Sequence, residues 1–82
     1  MKKPEIHYPC WWTYAIIGAD EEDLRMAIGE VTAGTQHRVK FSRQSAEKHY
    51  VSLHIEVYVE SEEQRNAVFD AFSHHEKIKF VL

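Results

Sequence analysis

One cysteine and six histidines carry most of the covalent and metal chemistry available to this 82-residue chain. Cys10 stands between Pro9 and Trp11. As a nucleophile it would need a cation or a helix N-terminus to lower its pKa. No second cysteine completes a redox pair, so Cys10 reads as a small hydrophobe packed under aromatic neighbours. His74 and His75 are adjacent, and on a helix they point about 100° apart, too far to share one ion. No His-x₃-His or Cys-x₂-Cys spacing occurs. His49 and His54 differ by five, which on a strand places them on opposite sides. The pattern therefore calls for no metal and no cofactor. Carboxylates cluster at Asp20–Asp23 and Glu60–Glu63, where helix starts explain them. No Ser/His/Asp order or glycine-rich phosphate loop appears, no catalytic residue is nominated, and the expectation is a non-enzymatic protein.

Binding chemistry is better represented. Val51, Leu53, Ile55, Val57 and Val59 alternate with Ser52, His54, Glu56 and Tyr58, and Tyr50 extends the polar set. Period two means a strand with one buried and one wet face. Tyr50, His54 and Tyr58 thus become candidate contact residues on an open sheet face, flanked by Arg38 and Lys40 and by Lys77 and Lys79. Aromatics between cations can stack single-stranded nucleic-acid bases, which is the alternative reading. The basic-glycine-aromatic pattern of RNA-recognition strands is missing, however, and Glu56 would repel phosphate. A second candidate is the loop at Gly18 and Asp20, where amides at a helix start can hold a small anionic group. The acids that follow favour an ammonium over a phosphate, and Gly18 reads first as a plain turn residue.

These residues need elements to place them. Residues 1–10 hold both prolines and form an extended lead-in. Trp11 to Gly18 is rich in aromatic and β-branched residues, the mark of a strand. Trp12, Tyr14 and Ile16 fall on its core side. Trp11 faces the other way, exposed as a partner anchor or covered by the lead-in. Asp20 is a good N-cap. Leu24, Ala27, Ile28 and Val31 then form an apolar stripe on a helix ending near Gly34. Val39 and Phe41 alternate with polar residues as a second strand, and Gln44–Lys48 reads as a hairpin turn into the third. Ser61 and Gln64 make a capping box, with the Gln64 side chain expected on the Ser61 amide. The helix it opens sends Val68, Phe69 and Phe72 inward and ends near His74-His75. Ile78, Phe80 and Leu82 face inward from a last strand.

The order β-α-β-β-α-β predicts an α+β, ferredoxin-like sandwich: a four-stranded antiparallel sheet, order 4-1-3-2, with both helices on one face. Basic residues on the outer strands discourage stray edge pairing. One domain spanning residues 1–82 is expected at this length. A net charge of −3 argues against a dedicated nucleic-acid binder. A single cysteine points to the cytoplasm, and no apolar run nears the ~20 residues of a membrane helix.

The segment Lys3-Pro4…Tyr8-Pro9-Cys10-Trp11-Trp12-Thr13-Tyr14, the Ser61-Glu62 helix start and the closing Lys77-Ile78-Lys79-Phe80-Val81-Leu82 resemble the YbeD-like family of small uncharacterised bacterial proteins. The resemblance spans nearly the whole chain. It implies a fold similar to ACT-type regulatory domains, which bind small ligands. It implies no set of functional residues. The combined expectation is a regulatory or interaction module that binds a small ligand or a protein partner, with a homodimer among the expected partners and no membrane.

Overall fold

The computed structural model describes residues 5–44 and 50–82. Of the proposed hairpin turn Gln44–Lys48, Gln44 is the last residue of the second strand and residues 45–48 lie outside that range, as do His49 and the first four residues. Six elements follow in order: β1 (Cys10–Gly18), α1 (Glu21–Val31), β2 (His37–Gln44), β3 (Val51–Val59), α2 (Glu62–Ser73) and β4 (Phe80–Val81). The sheet order is β2-β3-β1-β4, the expected 4-1-3-2 read from the other edge. Its strand pairs are all antiparallel.

β3 is paired on both edges, by β1 and by β2, and is covered on one side only. Val51, Leu53, Ile55, Val57 and Val59 are all buried, while the residues between them stay half-exposed. Each such side chain contributes roughly 1.5–3 kcal/mol on burial. Against them pack Tyr14 and Ile16 from β1, Leu24, Ala27 and Ile28 from α1, and Val68 and Phe72 from α2. Both helices therefore sit on the same face, in a single hydrophobic cluster.

The helix starts behave as their residue types dictate. The Asp20 carboxylate accepts from the Glu22 amide at 3.3 Å, and the Ser61 hydroxyl accepts from the Gln64 amide at 3.0 Å. The second half of the capping box differs from expectation. Gln64 Oε1 accepts from the Glu60 amide at 2.7 Å, one residue before Ser61. Ser61 is extended (φ −155°, ψ 162°), so successive amides point to opposite sides and the side chain takes the one that faces the helix. α1 closes through Thr32, and Gly34 (φ 78°) turns the chain towards β2.

Three departures concern packing. Phe69 is 40% exposed rather than inward, because Val68 and Phe72 already define the buried stripe of α2 and Phe69 lies on its flank. Trp12 is half-buried at the edge of the core. The last strand is only Phe80–Val81, and its phase is opposite to the expected one. Ile78 is buried, but it belongs to a turn, its amide donating to the His75 carbonyl at 3.1 Å. Regular pairing starts two residues later, with Phe80 opposite Ile17 and Val81 opposite Ile16. Val81 thus joins the core, while Phe80 and Leu82 are 59% and 75% exposed. β2 also slips: a bulge at Lys40 puts Phe41 opposite His54, one step off strict alternation with Val39 opposite Ile55.

Candidate interaction surface

Covering one face of the sheet with two helices leaves the other to the alternate residues of β1 and β3. Register sets them side by side: Trp11 opposite Tyr58, Thr13 opposite Glu56, Ala15 opposite His54 and Ile17 opposite Ser52. Arg38 enters from β2 opposite Glu56, and Phe80 from β4 opposite Ile17. Neither helix packs on this side among the described residues.

The best-defined part is a cluster at the β1-β3-β2 junction. The Arg38 guanidinium lies 4.4 Å from the Trp11 ring centroid, and Trp11 meets Tyr58 edge-on at 5.4 Å. Arg38 Nε donates to Glu56 Oε1 at 2.6 Å, and Lys40 Nζ stands 4.0 Å from the same oxygen. The Glu56 side chain is only 13% exposed, so this carboxylate is held between two cations rather than offered to solvent. Arg38 and Lys40 thus share one carboxylate, and the cluster is closer to neutral than its basic residues imply. At the other end of the face Lys79 Nζ lies 5.6 Å from the centroid of Tyr50, which is 43% exposed.

The five candidate face residues thus stand together in part. Arg38, Lys40 and Tyr58 share the cluster, His54 lies along β3, and Tyr50 precedes that strand at its far end. Trp11 and Glu56 are the residues that complete the arrangement. Glu56 carries a signal in the sequence, as the one acid among the wet residues of the longest alternation. Trp11 carries a weaker one, its position out of phase with Trp12 and Tyr14.

The other candidates separate. A Cβ at Gly18 would meet Leu24 Cδ2 at 2.7 Å and the Lys77 carbonyl at 2.8 Å. The close approach that Gly18 permits is made by the chain itself. Asp20 is engaged as the α1 cap. Cys10 is half-buried against the core. His74 Nδ1 donates to the Asp70 carbonyl at 2.8 Å. His75 accepts at Nδ1 from the Lys77 amide and donates from Nε2 to Glu30 at 2.6 Å, tying the two helix ends together. The adjacent histidines have separate partners, and among the described residues no three His, Cys, Asp or Glu side chains converge. No helix of the described residues is long and apolar enough to cross a membrane.

On the buried side, Tyr14 is 1% exposed and its hydroxyl donates to the Arg65 carbonyl at 2.7 Å. Burial pushes its pKa up to about 12, an effect that the nearby Arg65 charge partly offsets.

A two-helix, four-stranded antiparallel sandwich of this order is the ferredoxin-like arrangement of ACT domains. It superposes on the ACT domain of a GTP pyrophosphokinase from Chlorobium tepidum with a TM-score of 0.62, covering 88% of this chain and 94% of that one, at 12% identity. At that identity the likeness concerns the fold alone. The chain belongs to the DUF493 family of proteins of unknown function, whose model matches residues 3–82. An uncharacterised protein of Campylobacter jejuni is 33% identical over 81 residues, covering 99% of this chain and 91% of its own. A UPF0250 protein of Neisseria gonorrhoeae is 28% identical, covering 94% and 89%. The solution structure of a Helicobacter pylori protein matches with a TM-score of 0.82 at 28% identity, covering 99% of this chain and 89% of that one.

Proposed function

We propose that this chain is an interaction domain without catalysis of its own, which recognises a protein partner or a small ligand through the open face of its sheet. One observation carries the reading. Trp11, Tyr58, Arg38 and Glu56 form an ordered aromatic-and-charge cluster on a face that neither helix covers. Exposed Trp held by an Arg and a second aromatic ring is the composition of a binding anchor. Phe80, 59% exposed on the same face, extends the apolar area. Regulation in the manner of ACT-type domains is consistent with this fold, and the cytoplasm is the compartment in keeping with a lone cysteine. Glu56, by offsetting one of the two charges of Arg38 and Lys40, favours a mixed polar and aromatic partner over a nucleic-acid backbone.

The test is affinity capture from a lysate of the source organism, with native mass spectrometry of what is retained. The Trp11→Ala, Tyr58→Ala double variant should lose a partner or ligand that the parent chain holds. Its melting should remain cooperative, since neither side chain belongs to the buried cluster. Equal retention by both proteins would remove this face from consideration. Retention of nucleic acid that falls with salt would replace the reading by the alternative one.

A further inference from the structure

The second surface lies on the helix side, between β1, α2 and the end of β4, away from the open face. A cleft of about 380 Å³ is lined there by Trp12, Tyr14, Arg65, Asn66, Phe69 and Leu82. That volume is in the range of small-molecule sites. Its walls are mostly apolar, and Phe69 stands 40% exposed at it, though nothing in the core requires it.

The one cation of the lining is Arg65. Its side chain is only 17% exposed. The guanidinium lies 4.5 Å from the Trp12 ring centroid, and Nη2 reaches the exposed Glu62 carboxylate at 3.4 Å. Among the described residues these are its contacts. A guanidinium has five donors in a fork that fits a carboxylate, and a single long contact leaves most of them unmatched. Burying a charge without matching acceptors is costly, so the seat is energetically incomplete. It is also rigid. The Tyr14 hydroxyl holds the Arg65 carbonyl at 2.7 Å, which pins this turn of α2 over β1.

We propose that this cleft binds a small monocarboxylate with an aromatic or branched aliphatic tail. The carboxylate pairs with the Arg65 guanidinium, the Asn66 amide supplies a further polar contact, and the tail lies between Trp12 and Phe69. A phosphate is a poorer fit, because the lining has one cation and Glu62 stands beside it. An ammonium ligand is excluded by Arg65 itself.

The experiment uses the full chain carrying Trp11→Phe, so that fluorescence reports Trp12 alone. It is titrated with 3-phenylpropionate and, in parallel, with its neutral isostere 3-phenylpropionamide. A saturable change is expected with the acid, and an affinity about tenfold lower with the amide, the usual loss when a charge-assisted pair is removed. Arg65→Gln should bring the two ligands level. Phe69→Ser should weaken both and leave their ratio unchanged. Equal affinity for acid and amide in the parent cleft would overturn the proposal, as would no saturable response to either. That comparison needs no cleft variant, so a poorly folded Arg65→Gln protein cannot mask the answer.

Discussion

Replacing Gly18 with alanine adds one methyl group at the most crowded of the three glycines. That Cβ would lie 2.7 Å from Leu24 Cδ2 and 2.8 Å from the Lys77 carbonyl oxygen. Carbon contacts become favourable only near 3.5 Å, so a displacement of roughly half an ångström or more is needed. Leu24 is fully buried and cannot swing into solvent. The Lys77 carbonyl is backbone, so the turn into β4 must move instead. Overpacking of this kind costs about 1–3 kcal/mol, and alanine's better strand entropy returns about 0.5–1. The net expectation is a loss of about 0–2.5 kcal/mol, centred near 1.2. For a domain of this length the central value lowers the melting temperature by roughly 5–10 °C. Urea unfolding followed by circular dichroism measures it, with a lower midpoint and an unchanged slope. The other glycines serve as controls. Gly29, inside α1, has nothing within 4 Å of its added Cβ, so alanine should stabilise by about 0.8 kcal/mol. Gly34 has the same open space but φ of +78°, so alanine there should cost about 1 kcal/mol. Gly18→Ala as stable as the parent protein would refute the claim that chain packing, not a ligand, dictates this glycine.

Alkaline pH tests the burial of Tyr14. Its folded pKa of about 12 lies above the ordinary 10.0, so its contribution is whole below pH 10 and is lost as pH rises towards 12. Two pKa units correspond to about 2.7 kcal/mol. Tyr14→Phe should lose about 1 kcal/mol at neutral pH, with its hydroxyl-to-carbonyl bond, and then fall less steeply than the parent protein between pH 10 and 12. Urea midpoints across that range check both, and parallel decline in the two proteins would place the phenol in solvent. Ser61→Ala should cost about 1 kcal/mol through loss of the 3.0 Å cap on Gln64, read as a lower urea midpoint. A change within error would show that Gln64 on the Glu60 amide holds the helix start alone.

Where one residue type and one period sufficed, the fold was legible from the chain. The ten-residue alternation ending at Val59 located β3 and its buried face, and Asp20 and Ser61 marked both helix starts. What escaped was phase. Ile78, Phe80 and Leu82 keep a perfect period of two, yet a turn hydrogen bond to His75 captures Ile78 and resets the alternation behind it. At Lys40 a single bulged residue does the same to β2. Hydrophobic pattern cannot register such resets, because they depend on where neighbouring strands offer partners. The candidate face was legible as a face. Its chemistry was not, because Glu56 unites Arg38 and Lys40 across two strands, and that pairing is a property of register rather than of spacing.

Trp11 and Trp12 show how much one strand decides. Adjacent in sequence, they point to opposite sides of β1, and a guanidinium stacks on each: Arg38 at 4.4 Å on the open face, Arg65 at 4.5 Å on the helix side. The two stacks differ in what satisfies the arginine. Arg38 has Glu56 at 2.6 Å through Nε and lies 60% exposed, so its charge is shared with a carboxylate already in place and that surface should discriminate chiefly by shape and aromatic contact. Among the described residues Arg65 has one carboxylate, Glu62 at 3.4 Å, and takes a further anion, so the cleft should discriminate by charge. Because β1 lies between them, either surface can be altered through its own tryptophan without touching the other. Cross-effects, in which a ligand in the cleft changes capture at the open face, would then have to travel through the β1 backbone. Trp11→Ala and Phe69→Ser therefore separate two independent surfaces from one coupled pair. Additive losses mean independence, and a loss at the open face caused by Phe69→Ser means that occupancy of the cleft is read across the sheet.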